Sequence, residues 1–199
     1  MVHRNSRGFF GGLAVFPGGK VEEDDVPDGL TGFHDLAHRK AAVRELAEET
    51  GILLTATGPV PAPEVREGDF HRSLAENGVV SAVDELVLVS RWVTPETAPR
   101  RFDTRFYVVA CDGAPAVKID AEELIGYDWI APDLALQRLK TGELSMFRPT
   151  IAHLEWLRSC SSVDEAIESA RGADGRALAV PLTVEDGSVL PIEMPVGTR

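Results

Sequence analysis

The chain has 199 residues, of which 44% are hydrophobic, enough to bury the core of one ordinary domain with a small appendage. A formal net charge of −12 argues against nucleic acid or an anionic membrane as a partner held through a broad surface, so an anionic substrate must be met by a local basic pocket or a metal ion. Cys111 and Cys160 are too few for a disulfide framework and lack metal-ligand spacing; they read as reduced thiols of a cytoplasmic protein.

No stretch approaches the ~20 apolar residues of a membrane span. The N-terminal run from Gly8 to Phe16 is glycine-rich and lacks the small-residue cleavage site of a signal peptide. Arg4 and Arg7 precede it, and the segment leaves room for little of a first strand. Next comes Phe16-Pro17-Gly18-Gly19-Lys20-Val21-Glu22, whose glycines let the backbone approach a ligand closely. Val26 to Gly32 reads as loop.

A helix then runs from about Phe33 or His34 to Thr50, with Gly51 as a left-handed cap. At ~100° per residue, Glu45, Glu48 and Glu49 share one face, and Leu36, Val43, Leu46, Ala47 and Thr50 lie opposite, toward the core. Acids at i, i+3 and i+4 repel by about 0.2–0.5 kcal/mol per pair. They also crowd the C-terminal turn, where the helix dipole favours cations. Arg44, four residues before Glu48, is the one cation in this turn that relieves them. Two readings follow: a divalent cation that turns the repulsion into binding energy, or a solvated acidic face.

Ile52 to Leu54 reads as a strand, Pro59 to Pro63 as a break, and Glu64 to Asn77 as a helix in which His71 has no partner at metal-ligand spacing. Leu86 to Val93 and Thr104 to Ala110 are the clearest strands. Arg100, Arg101 and Arg105 fall within six residues near the second. Arg101 and Arg105 are either ordinary polar-face residues or phosphate contacts, and such spending of arginine in an acidic chain favours the second. Helices are expected over Pro132 to Leu139, from Arg148 with Ile151, Leu154 and Leu157 on one side, and over Ser162 to Ala170. Trp156 is core or lid. The tail reads as a hairpin, Ala177 to Val184 and Ser188 to Met194 about Glu185-Asp186-Gly187.

These segments carry a resemblance. Arg44-Glu45-Leu46-Ala47-Glu48-Glu49-Thr50-Gly51-Ile52 matches every defined position in the second half of the box of Nudix hydrolases, Arg-Glu-aliphatic-any-Glu-Glu-any-Gly-aliphatic. Gly19 fits the first half, Asp25 stands where that family usually has Glu, and 18 residues, Val26 to Val43, separate the halves in place of seven. An interrupted box of this kind is similar to the branch that includes the peroxisomal coenzyme A diphosphatases. So are Gly12-Leu13-Ala14-Val15-Phe16-Pro17-Gly18-Gly19 and Trp92-Val93-Thr94-Pro95 followed by Arg101-Phe102-Asp103-Thr104-Arg105-Phe106.

The resemblance implies an α/β fold, the Nudix α/β/α sandwich with a mixed β-sheet over residues 1–145, its first strand truncated. A helical and hairpin extension, 146–199, would pack on the same domain. It implies Mg²⁺ or Mn²⁺ held by Glu45, Glu48, Glu49 and the Gly19 carbonyl, with one of these carboxylates, Glu45 by preference, taking a proton from water and Arg44 holding its neighbours in register. Glu122 or Glu123 would be an additional acid, unless Asp120 to Glu123 is only a solvated turn. The substrate implied is a small nucleoside diphosphate derivative, its phosphates bound by Arg4, Arg7, Arg101 and Arg105. Coenzyme A or an acyl-coenzyme A comes first, then ADP-ribose or another nucleotide sugar; a catalytically silent Nudix ligand sensor is the reading of a different class. A short first strand would leave a sheet edge to be covered by the C-terminal hairpin or by a second copy in a homodimer.

Overall fold

The computed structural model describes residues 1–6, 11–27, 35–65, 68–94 and 101–172, and the backbone of 180–181, 184–185 and 188–189. The chain opens with strands β1 (Val2–Arg4) and β2 (Ala14–Val15), a 3-10 turn (Glu23–Asp25) and helix α1 (Asp35–Thr50). Strands β3 (Ile52–Thr55) and β4 (Gly58–Pro61), helix α2 (Phe70–Glu76) and a second 3-10 turn (Val83–Glu85) follow. Then come β5 (Val87–Val93), β6 (Asp103–Val108), β7 (Leu124–Tyr127), and helices α3 (Pro132–Thr141), α4 (Arg148–Ser159) and α5 (Val163–Gly172). The short strands β8 (Val180–Pro181), β9 (Val184–Glu185) and β10 (Ser188–Val189) complete the order. The loop expected over Val26 to Gly32 lies largely outside the described residues, as do Arg7, Arg100 and much of the tail. Among the described residues no helix is long and apolar enough to cross a membrane.

Contacts divide the chain into two units, Met1–Leu86 with Cys111–Trp129, and Val87–Ala110 with Ile130–Arg199. In the first, β1 is the middle strand of an antiparallel sheet ordered β2-β1-β7, with Val2 opposite both Val15 and Tyr127. The first strand is therefore short but paired on both sides. The edge expected to be covered by the C-terminal hairpin or a second copy is not beside β1: among the described residues β2 folds back onto one side of it and the sequence-distant β7 takes the other. Pairing of a second kind was also missed: β4 carries Pro59 and Pro61, yet it forms a hairpin with β3, registering Leu54 with Pro59 and Ile52 with Pro61. Proline is tolerated here because β4 is an edge strand.

Helix α1 packs on β3; Ala37, Ala41, Val43 and Ala47 of the helix and Ile52, Leu53 and Leu54 of the strand are buried. Gly51 closes it at φ +68°, where any Cβ is strained, and donates its N–H to Ala47 O. Leu36, expected on the core face, is exposed, while its neighbour Ala37 in the same first turn is buried: the buried stripe passes one residue to the side of Leu36. Conversely, Arg44 and Glu49 are buried and Glu48 is exposed, so only part of the acidic face is solvated.

In the second unit β5 lies between antiparallel β6 and parallel β8, Trp92 facing Val180, while β9 and β10 pair with each other. The C-terminal strands thus join β5 and one another, not the β1 sheet. Trp156 and Ala166, Ala170 of α4 and α5 pack on Val89, which makes Trp156 core. Trp92 Nε1 donates to Ser90 Oγ at 3.0 Å, and Ser90 Oγ lies 2.7 Å from His153 Nε2. His153 Nδ1 faces Pro149 O. A carbonyl can only accept, so Nδ1 donates to Pro149 O; with its pKa lowered by burial the imidazole is neutral, and Nε2 accepts from the Ser90 hydroxyl.

Burial lowers the His153 pKa from 6.5 to about 4. The unfolded chain binds the extra proton between those values, so this residue's contribution is whole above pH 6.5 and is lost as pH falls toward 4. The gap corresponds to about 3 kcal/mol. Melting curves of wild type and His153→Gln should accordingly converge as the pH is lowered from 7 to 4; parallel curves would contradict the assignment.

Candidate active site

The site is built in the first unit from the glycine loop, the 3-10 turn and the last two turns of α1. Arg44 is its hub. Its Nε donates to both oxygens of Asp25 at 3.2 and 3.3 Å, and Nη2 donates to Asp25 Oδ2 at 2.9 Å and to the Lys20 carbonyl at 2.7 Å. Nη1 reaches the opposite way, to Glu48 Oε2 at 2.7 Å and Glu45 Oε1 at 3.2 Å. One planar guanidinium thus fixes three carboxylates and the loop that carries Gly19, a task for which the rigid fork of arginine suits and lysine does not.

Asp25 is fully buried and its pKa is lowered: burial opposes this, but hydrogen bonds from His71 and Arg44 and from the Glu22 N–H outweigh it. Lys40 Nζ holds the neighbouring Asp24 carbonyl at 2.8 Å. The interrupted box is in this way closed in space: Asp25 meets Arg44 across 19 positions.

Glu49 occupies the other side of the cluster. Its Oε2 accepts the Gly18 N–H at 3.1 Å and its Oε1 accepts from Arg4 Nη1 at 3.2 Å. Burial raises its pKa to about 7, against the lowering effect of the Gly18 N–H and Arg4, and with help from Glu45 and Glu123. Glu45 and Glu48 are also shifted up, first by burial, with Arg44 opposing. Three carboxylates that resist ionisation are gathered at one helix end.

Arg4 spans two acids, since its Nη2 donates to Glu123 Oε2 at 2.8 Å. The loop bearing Glu123 is fastened to α1 by Lys118 N–H on the Thr50 carbonyl and Asp120 N–H on the Glu49 carbonyl. Glu123 therefore joins the cluster. Glu122 does not: it is exposed, and its backbone caps onto Asp120 and Asn5. Arg101 and Arg105 belong to the second unit, where Arg101 Nε donates to the Thr94 carbonyl and Arg105 lies 3.9 Å from Asp103. Arg7 is outside the described residues. His71, passed over in the sequence, sits with Nε2 3.0 Å from Asp25 Oδ1.

Gly19 explains its own residue type. A Cβ there would fall 2.2 Å from Glu45 Oε1. The obstacle is the end of a flexible side chain, so Gly19→Ala should displace the Glu45 carboxylate and spare the fold. We expect kcat to fall about tenfold or more, as for misplaced reacting groups, with a melting temperature close to wild type. A variant with unaltered kcat would show that Glu45 need not lie against this loop.

The donor set fits a hard divalent cation: carboxylate oxygens only, partly desolvated, with the Gly19 backbone pressed close to one of them. As the side chains stand, no three of His, Cys, Asp or Glu among the described residues converge closely enough to hold an ion; Glu45 and Glu48 are paired with Arg44, and Glu49 with Arg4.

Known proteins share this arrangement of segments. The NUDT19 Nudix domain family matches residues 28–157. An acyl-coenzyme A diphosphatase NUDT19 of Gallus gallus is 30% identical, over 83% of this chain and 53% of that protein. The Homo sapiens protein of the same name is 29% identical, over 84% and 53%. The chain spans about half the length of the curated relatives it matches. The crystal structure of a NUDIX hydrolase from Alicyclobacillus acidocaldarius superposes with a TM-score of 0.68 at 30% identity, covering 84% of this chain and 86% of that one, and bears out the expected α/β fold. With the Arg44–Glu49 helix end and the Gly18-Gly19 loop brought together as described, the chain belongs to the Nudix hydrolase family.

Proposed function

We infer that this chain hydrolyses the pyrophosphate of a nucleoside diphosphate derivative in a metal-dependent reaction, with coenzyme A or an acyl-coenzyme A as substrate. The observation that carries this is Arg44, which gathers Glu45 and Glu48 at the helix end where Glu49 also stands. Glu45, Glu48, Glu49 and the Gly19 carbonyl would hold Mg²⁺ or Mn²⁺. Such an ion, when bound, neutralises charge developing on phosphate oxygens. Water attacks one phosphorus of the pyrophosphate, the bridging P–O bond breaks, and each product keeps one of the two pyrophosphate phosphates. Glu45 would take the water's proton; burial raises its proton affinity above the ordinary carboxylate value, with Arg44 opposing. Arg4 would turn from the acids toward substrate phosphate, with Arg7 as a further phosphate contact, and Glu123 would serve as the additional acid. The two NUDT19 relatives bear the name acyl-coenzyme A diphosphatase, which supports the choice of substrate.

The test is a panel of coenzyme A, acetyl-coenzyme A, dephospho-coenzyme A and ADP-ribose with Mg²⁺ and Mn²⁺, products read by mass. Coenzyme A should yield adenosine 3′,5′-bisphosphate and a phosphopantetheine. If Arg4 and Arg7 read the 3′-phosphate, wild type should prefer coenzyme A over the dephospho form by about ten- to hundredfold in kcat/KM, and Arg4→Ala/Arg7→Ala should lose that preference. Equal rates on both forms would move ADP-ribose ahead; no turnover of any substrate would leave the silent sensor.

A further inference from the structure

His71 has no part in the box and lies on a helix from the stretch between β4 and β5, yet its side chain reaches the most buried carboxylate of the site. We propose that His71 is a positioning residue for the carboxylate cluster, acting through Asp25 and Arg44 on Glu45 and Glu48. The proposal rests on the pyrophosphatase reading above.

The geometry runs as an unbroken chain. His71 Nε2 is 3.0 Å from Asp25 Oδ1, Asp25 Oδ2 is 2.9 Å from Arg44 Nη2, and Arg44 Nη1 is 2.7 Å from Glu48 and 3.2 Å from Glu45. Asp25 is wholly buried and held in its ionised form, so it can only accept; Nε2 of His71 therefore carries the proton and donates. The imidazole is itself fixed. Its backbone N–H donates to Asp24 Oδ2 at 2.7 Å, and its ring stands edge-on to buried Phe70, centroids 5.1 Å apart. The 3-10 turn is thus gripped from both sides, by Arg44 and Lys40 of α1 and by His71 of α2.

The need for such a donor follows from the residue at position 25. Aspartate is one methylene shorter than the glutamate usual there, so its carboxylate lies nearer its own backbone, and here it is fully buried. Glu22 N–H takes Oδ2 at 2.8 Å, Arg44 spans both oxygens, and His71 supplies a donor to Oδ1 from outside the box. Without it a buried anion would lose one of its few partners and draw the guanidinium toward itself, away from Glu45 and Glu48. Groups that orient ligands in this way commonly change metal affinity or activity 10–100-fold when removed.

Three variants separate position from packing. His71→Phe keeps the ring against Phe70 but has no donor, His71→Asn has a donor that is too short, and His71→Gln carries a donor at about the reach of Nε2. The readouts are melting temperature, Mn²⁺ affinity by electron paramagnetic resonance, the Arg44 Nε–H resonance by NMR, and kcat and KM on the substrate wild type turns over best. We expect His71→Phe and His71→Asn to shift the Arg44 resonance, weaken Mn²⁺ binding and lower kcat about tenfold at nearly constant KM, with His71→Gln close to wild type. If His71→Phe does not fold, the comparison of Asn with Gln decides. An unmoved Arg44 resonance with normal kcat in His71→Asn would overturn the proposal, as would a Gln variant no better than Asn. Failure of the pyrophosphatase reading would show instead as a wild type without turnover, and the Arg44 resonance would still report on His71.

Discussion

Glu48→Gln and Glu49→Gln are each expected to lower kcat by two to three orders of magnitude without unfolding the protein. Both changes keep side-chain size and remove one negative charge from the proposed ion site. Their structural consequences differ. Glu48 is exposed at its tip and answers to Arg44, whereas Glu49 is buried and pinned by the Gly18 N–H and Arg4. The folded-state pKa of Glu49, about 7, lies above its ordinary 4.5. The folded protein therefore holds this proton longer than the unfolded chain, and ionising Glu49 costs stability progressively as pH rises from 4.5 through 7. At pH 8 Glu49→Gln should melt level with or above wild type, and the difference should vanish near pH 4. Removing acids from a helix C-terminus points the same way. A variant with near-normal turnover, or one melting far below wild type, would contradict the reading of these residues as an ion site assembled at the expense of stability.

The second large effect concerns Arg44. Arg44→Ala leaves Asp25 charged and sealed from solvent, and breaking a buried ion pair by removing one partner typically costs about 3–5 kcal/mol. For a chain of this size that corresponds to a fall of about 10 °C or more in melting temperature. Arg44→Lys should recover part of the stability, because a charge returns, but little of the activity, because an ammonium cannot span Asp25, Glu45, Glu48 and the Lys20 carbonyl at once. The acid limit of this pair follows from Asp25. Its folded pKa is depressed, so its contribution is complete above its ordinary value of 3.8 and is lost as pH falls through the folded value. Calorimetry of the three proteins at pH 7 tests this directly; an Arg44→Ala protein as stable as wild type would show that Asp25 finds other partners or a proton.

Much of the local structure was legible because it is written at short range. The 3.6-residue period and the Gly51 cap placed α1, and alternation placed β5 and β6 to within about a residue at most ends. The Glu45, Glu48, Glu49 face was visible for the same reason. What covers that face was not. Helical periodicity says which side chains share a side, but Glu49 is buried by Gly18 and Arg4, 31 and 45 positions away. His71 was opaque on the same ground: its partner Asp25 lies 46 positions upstream, and a lone histidine on a short helix carries no spacing signal. The strand β4 was hidden by its prolines, which forbid a central strand but not an edge. Arg4 read as a substrate contact from the family resemblance, its charge and its place just before the glycine loop. In the fold it is first a counter-ion of Glu49 and Glu123, which makes it the residue whose role depends most on what else is bound.

The account turns on one claim, that Glu45, Glu48 and Glu49 form a site where a divalent cation and turnover depend on each other. The most direct measurement is a Mn²⁺ titration followed by electron paramagnetic resonance in wild type, Glu48→Gln and Glu49→Gln, with turnover of coenzyme A recorded on the same samples. The account predicts saturable Mn²⁺ binding in wild type, turnover that rises with occupancy, and loss of both in each variant at unchanged fold. Turnover in wild type without bound Mn²⁺ or Mg²⁺, or variants that bind and turn over like wild type, would contradict it.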